Sequence, residues 1–375
     1  MSVNMMRYFF VGLLLSVSLS VSSQKYFLFI GTYTGTGSKG IYVYTFDAST
    51  GKAKWVSNTE GVVNPSYLAI APGGKLLYAC TETRTADAGG VSAFSFDRKK
   101  GNLTFLNKQS SGGDNPAYVS VHQTGKWVVA GNYSGGNLAA FPIIPDGNLQ
   151  PLSQLVQHTG TGKNKQRQEQ AHVHATVFSP TGDYLFVPDL GIDKVMIYKF
   201  NPSLQHPLRS ASPAFVSTNP GSGPRHFVFH PNNKWAYLME EMAGEVSAYR
   251  YKKGRLELLQ RIPAHPDTSK GEFGSADIHV SPDGEFLYAS NRGNENNIAI
   301  FSIDKNGKLS RVGYQSTMGI QPRNFVIDPS GKYLLAANQK TGNIVIFKRD
   351  MATGLLQFTG EQINIPQPVC LKMIR

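Results

Sequence analysis

His174, Arg225, Glu241 and Arg292 are the residues around which chemistry concentrates in this 375-residue sequence. His174 and Glu241 are candidate general bases, acting on water or on a carbon-bound proton. Arg225, Arg292 and Arg323 carry planar forks that suit a carboxylate, a phosphate or a developing oxyanion. The stretch GPRHFVFHPNNKWAYLMEEM shows the tension. It reads as two strands, yet it opens with Arg225 and ends with Glu240 and Glu241, where a buried strand should be apolar. No nucleophile elbow accompanies these residues. GTYTGTGSKG, from Gly31, lies between strands rather than before a helix, so it is read as a turn and not a phosphate loop. HVH, from His172 to His174, lacks a third histidine at a matching position, so no metal is expected. His226, His230 and His279 alternate with strand residues and read as satisfied strand histidines.

The elements that hold these residues form a repeat. Six segments align on Pro65, Pro116, Val173, Pro224, Ser275 and Pro322, and a partial seventh on Pro368. Successive spacings are 51, 57, 51, 51, 47 and 46 residues. Nine positions after each full anchor comes a turn residue: Gly74, Gly125, Gly182, Asn233, Gly284 and Gly331. A period-two strand follows, such as KVMIYKF or NIAIFSI, then a second turn and a weaker strand. Four short antiparallel strands in about 50 residues make a propeller blade. The segment from Lys25 supplies three strands without a first, and PQPVCLKMIR supplies a first without the rest. The expectation is an all-β, seven-bladed β-propeller spanning 24–375 as a single domain, one blade being closed by both chain ends.

Repetition also separates site from scaffold. A residue that serves the blade should recur in most copies, and one that serves a site should not. The position after each anchor holds Ser66, Ala117, His174, Arg225, Ala276, Arg323 and Val369. The end of each second strand holds polar pairs, among them Asn132 with Tyr133, Glu240 with Glu241, Asn291 with Arg292, and Asn338 with Gln339. Both sets lie at the same end of the blade, which in a propeller is the mouth of the central channel. The repeat comparison thus singles out His174, Glu241, Arg225, Arg292 and Arg323, and the first four are the candidate catalytic residues on the resemblance given next. The candidate substrate-binding residues are Arg323, Gln339, Asn291, Glu240 and Asn132.

At GPRHFVFHP, SADIHVSPDGEFLYASNR and QPRNFVIDPSGKYLLAANQ the sequence resembles the lactonase family of seven-bladed propellers. That family includes 6-phosphogluconolactonases and a carboxy-muconate lactonizing enzyme. The resemblance runs from about Lys25 to the C-terminus. It implies a site at the channel mouth, on His174, Arg225, Glu241 and Arg292, with Arg323 and Gln339 also on motif positions. It implies hydrolysis of a small anionic sugar lactone, 6-phosphogluconolactone foremost, without a cofactor. Proton exchange at carbon on a carboxylated substrate and a non-enzymatic exported binding propeller stay open as alternatives. Where the family commonly has NEL this chain has EEM, so Glu240 adds a second carboxylate, expected to raise one pKa and change the charge preference.

Composition narrows the partners. The formal net charge of +12 is scattered, with no basic stripe in a recognisable module, so nucleic acid is not expected. Residues 1–23 combine Arg7, a short apolar run and small residues before Gln24, as in a secretory signal cleaved near Ser23. The run is too short and too rich in serine for a stable membrane anchor. An exported, periplasmic or secreted chain is expected, monomeric because a closed ring needs no partner. Cys80 and Cys370 lie in apolar strands and read as two buried thiols.

Overall fold

The computed structural model describes residues 24–35, 37–83, 85, 89–271 and 273–375. The expected signal segment, residues 1–23, lies outside the described residues. The described residues form seven four-stranded antiparallel sheets and no α-helix, a seven-bladed β-propeller. In the fourth blade the strands run Pro224–Phe229, Trp235–Glu240, Glu245–Lys252 and Arg255–Pro263, from the axis outward. In the closing blade the innermost strand is Pro368–Ile374, from the C-terminus. It pairs antiparallel with Lys25–Thr32, so the two chain ends share one sheet. Closure needs Gly31: a Cβ there would meet the Pro65 carbonyl oxygen of the first blade at 2.3 Å.

The hydrophobic core lies between blades rather than within any one. Trp127, Val129 and Leu138 of the second blade pack on Leu185, Val187 and Tyr198 of the third. Met239 and Ala248 of the fourth pack on Ile278, Leu287 and Phe301 of the fifth. Each sheet is thus buried on both faces, which is why the second strands read as apolar runs. The turn residue nine positions after each anchor has a positive φ in all six full copies, from 61° at Asn233 to 81° at Gly284. Only glycine and, at a cost, asparagine adopt that conformation readily, and this fixes the offset.

One irregularity matters for function. The innermost strands slip in register just after the anchor, between Pro116 and Tyr118, Pro224 and Phe227, Ser275 and Ile278, and Pro322 and Asn324. A bulge re-aims the side chains beside it. Here it affects the position that holds Ala117, Arg225, Ala276 and Arg323, at the top of the channel.

Candidate active site

A cavity of about 620 Å³ opens at the channel mouth, the size of a small-molecule site. His174, Glu241, Arg292, Arg323 and Gln339 line it, together with Tyr33, Asn64, Glu82, Asn115, Tyr133, Arg167 and Gln321. Arg225 lies beneath the floor, 1% exposed.

Glu241 is the centre of one wall. Its Oε1 accepts from Arg167 Nη2 at 2.7 Å. Its Oε2 accepts from Arg225 Nε at 2.9 Å and lies 3.1 Å from Arg292 Nη2. Burial alone would raise the pKa of this carboxyl, but Arg292 and Arg225, then His174 and Arg167, outweigh it and hold it well below the usual range. The guanidiniums are fixed in turn. Arg225 Nη1 donates to the Ala276 carbonyl, and Arg292 Nε to the Gly274 carbonyl at 2.6 Å. Burial and Arg292 push Arg225 below the ordinary guanidinium value, with Glu241 opposing them.

His174 Nε2 lies 3.9 Å from Glu241 Oε2. The ring packs edge-on against Tyr133 and His226, at 5.2 and 5.4 Å between centroids. Burial, reinforced by Arg225 and His226, holds its pKa well below 6.5, so the imidazole is neutral at pH 7. Across the cavity Tyr33 Oη donates to both oxygens of Glu82 at 2.9 Å. Arg323 stands over the Tyr33 ring at 5.6 Å and reaches Glu82 only at 3.9 Å. Three guanidiniums and two carboxylates line the wall, and Arg225 adds a further cation behind it, so the site is net positive.

Three of the expected binding residues do not reach the cavity. Asn132 donates to the Ser111 carbonyl at 2.9 Å and to Asn137 Oδ1 at 2.6 Å. Asn291 donates to the Ala264 carbonyl at 2.6 Å and to Asn297 Oδ1 at 2.9 Å. Asn338 makes the equivalent bond to the Thr317 carbonyl at 2.9 Å. These asparagines tie the end of the second strand to the link that leaves the outer strand of the preceding blade, and Asn132 and Asn291 also to the start of the third strand of their own. Glu240 occupies the same place and accepts from Ser247. It is not a second carboxylate in the funnel: its pKa is raised, but by burial in the blade rather than by Glu241. Adjacent strand residues point to opposite faces, so only the second member of each polar pair can face the site.

Arg167 and Tyr33 line the cavity without having been singled out from the sequence, whereas Glu82 is one of the polar pairs at the second-strand ends. Arg167 sits in the copy with the 57-residue spacing, and that added length was the available signal. Its loop is anchored by the fully buried Gln168, whose amide donates to Leu190 O at 2.8 Å and Asp193 Oδ1 at 2.7 Å. Asn64, Asn115 and Gln321 precede anchor prolines with positive φ and face the cavity. His172 is engaged by the Tyr133 carbonyl and Glu169, His226 by Asp277, and His230 by the Gly284 carbonyl. Among the described residues no group of three or more His, Cys, Asp or Glu could hold a metal ion. Cys80 and Cys370 are buried free thiols.

Comparison with known proteins agrees with this fold. A family profile described as "Lactonase, 7-bladed beta-propeller" matches residues 27–373. A 6-phosphogluconolactonase of Formosa agariphila is 40% identical over 92% of this chain and 99% of its own length. The crystal structure of a putative 6-phosphogluconolactonase from Bacteroides fragilis is 43% identical. It covers 94% of this chain and 98% of its own, with a TM-score of 0.90. The periplasmic gluconolactonase of Pseudomonas aeruginosa is 36% identical, with 94% and 99% covered and a TM-score of 0.89.

Proposed function

The chain belongs to the lactonase family of seven-bladed β-propellers, and from that membership we propose that it hydrolyses 6-phosphogluconolactone at the channel mouth. It is a lactone hydrolase of sugar metabolism, a carboxylic ester hydrolase. The observation that carries the residue assignment is a neutral histidine beside a carboxylate whose two oxygens are occupied by guanidiniums.

That arrangement favours His174 over Glu241 as general base. Glu241 has both oxygens engaged by cations and is held anionic, so it is a poor proton acceptor and serves to fix the arginines. His174 is neutral and takes a proton from water as the water attacks the lactone carbonyl carbon. The carbonyl oxygen becomes an oxyanion facing Arg292, a fixed cation with no reorganisation to undergo. The ring C–O bond then breaks, and the ring oxygen leaves as a hydroxyl carrying the proton from His174. Arg323, the cavity cation least engaged by carboxylates, holds the phosphate, with Gln339 beside it. Arg225 positions Glu241 from below rather than touching substrate.

A second reading is hydrolysis of unphosphorylated gluconolactone outside the cytoplasm. It is supported by the name of the periplasmic Pseudomonas relative and by the signal-like residues 1–23. Export and a monomeric state belong to this proposal. Hydrolysis of freshly made phosphorylated and unphosphorylated lactones by the mature chain, corrected for spontaneous opening, tests both. Preference for the phosphorylated lactone is expected. Acceleration of the unphosphorylated lactone alone gives the second reading, and acceleration of neither removes both.

A further inference from the structure

Below His174 the channel axis carries a second group of titratable side chains that the reaction above does not use. His226 follows Arg225 in the bulged inner strand of the fourth blade, 5% exposed. Its Nδ1 is 2.7 Å from Asp277 Oδ1. The Asp277 carboxylate, buried in the fifth blade, is also 2.9 Å from His279 Nε2 and accepts from Asn324 Nδ2 and from the Phe325 backbone NH at 3.2 Å. Edge-on contacts with Tyr67 and Tyr118 hold the His226 ring still.

A small chamber of about 10 Å³ is lined by His174 and His226, with Ser66, Arg225 and Arg323 among its other walls. Two buried polar atoms of its lining residues, His174 Nδ1 and Ser66 Oγ, have no hydrogen-bond partner in the protein. A buried polar atom without a partner is costly, and one water needs little more than that volume and two to four polar neighbours.

We propose that His226 and Asp277 are positioning residues for His174, acting through one buried water in this chamber. The polarity of the chain follows from its fixed end. Asp277 is an anion, so His226 donates to it from Nδ1 and keeps an acceptor lone pair on Nε2. The water donates to that lone pair and accepts from His174 Nδ1–H. His174 is thereby locked in the tautomer whose Nε2 lone pair faces Glu241 and the cavity, the form a general base requires. When His174 takes the proton from water onto Nε2, the new positive charge is turned through the water and His226 toward the Asp277 anion. The neighbouring arginines oppose that charge, and the relay partly offsets them. A strongly depressed His226, at about 3, and an Asp277 held well below the carboxylate range agree with this polarity.

The catalytic consequence rests on the lactonase reading, whereas the tautomer does not, and the test separates them. Long-range proton–nitrogen NMR of the ¹⁵N-histidine-labelled chain, with His174→Gln used for assignment, reads the His174 tautomer without substrate. Nδ1 protonated and Nε2 unprotonated is expected. In His226→Phe and Asp277→Asn the Nε2–H form should appear, with kcat lowered about 10- to 100-fold and KM unchanged. His226→Gln keeps an acceptor and should hold both the tautomer and most of kcat. A wild-type His174 protonated on Nε2 overturns the proposal even if no variant folds. So does a loss of kcat in folded variants with the tautomer unchanged, which is the signature of a merely structural role. The expected tautomer in a chain that hydrolyses no lactone would leave the relay standing and remove the functional reading.

Discussion

On the wall built by the third, fourth and fifth blades and the loop carrying Arg167, one carboxylate is shared by three guanidiniums at 2.7 to 3.1 Å. On the wall built by the closing, first and sixth blades, one guanidinium meets one carboxylate only at 3.9 Å, and that carboxylate is taken up by a tyrosine. The residue types are nearly the same, but the engagement is not. A saturated cluster cannot rearrange, so it holds His174 and Arg292 where a reaction needs them. An under-engaged cation has donors left over, and an incoming phosphate can use them. On the proposed function, the first wall serves rate and the second recognition.

Substitutions that strike one wall at a time test this division. His174→Gln should lower kcat about 10²- to 10⁴-fold, with KM nearly unchanged, in steady-state assays at pH 7. An unaffected kcat would take the reaction away from this wall. Glu241→Gln leaves the buried Arg225 without its carboxylate, so denaturant unfolding should show a loss of about 3–5 kcal/mol together with reduced kcat. Stability equal to wild type would mean that the cluster does not lock the wall. Arg323→Ala should raise KM for the phosphorylated lactone about 10- to 100-fold and leave the unphosphorylated lactone unchanged. Equal losses on both substrates would erase the distinction between the walls. Asn291→Ala, at the place expected from sequence to bind substrate, should cost about 1–2 kcal/mol of stability and spare KM.

The smallest effect is one of pH. His174 and His226 have folded pKa values pushed below 6.5, by burial first and then by Arg225. The unfolded histidines bind protons that the folded ones refuse, so stability is full above 6.5 and falls as the pH drops. Each histidine should cost about 1 kcal/mol between pH 6.5 and 5.5, measured as the shift in urea midpoint. His226→Phe should remove its share of that slope. Glu241, with its folded pKa depressed, adds a loss only at more acid pH, below the usual carboxylate value of 4.5.

The ring at the channel mouth was legible because repetition supplies an internal control. Six turn residues at one offset could be read as blades, and His174, Arg225 and Arg323 stood out against Ser66, Ala117, Ala276 and Val369 at the same position. The recurrence test applied to the strand ends also held the answer for Asn132 and Asn291. With Asn338 they repeat in three blades, and that is what a blade fastener does. Glu240 stands where those asparagines stand and inherits their direction.

The sequence by itself determined the blade count, the shared closing blade and the end of the channel at which chemistry collects. Those properties follow from local periodicity and from turns that glycine and asparagine make most readily. Tertiary structure decided the rest. A bulge in the inner strand re-aims the position of Arg225, a 57-residue repeat brings Arg167 to Glu241, and packing leaves His174 Nδ1 buried with no partner in the protein. Which base keeps a free lone pair depends on distances among residues from three blades and a loop. No spacing along the chain encodes those distances, because they exist only once the ring has closed.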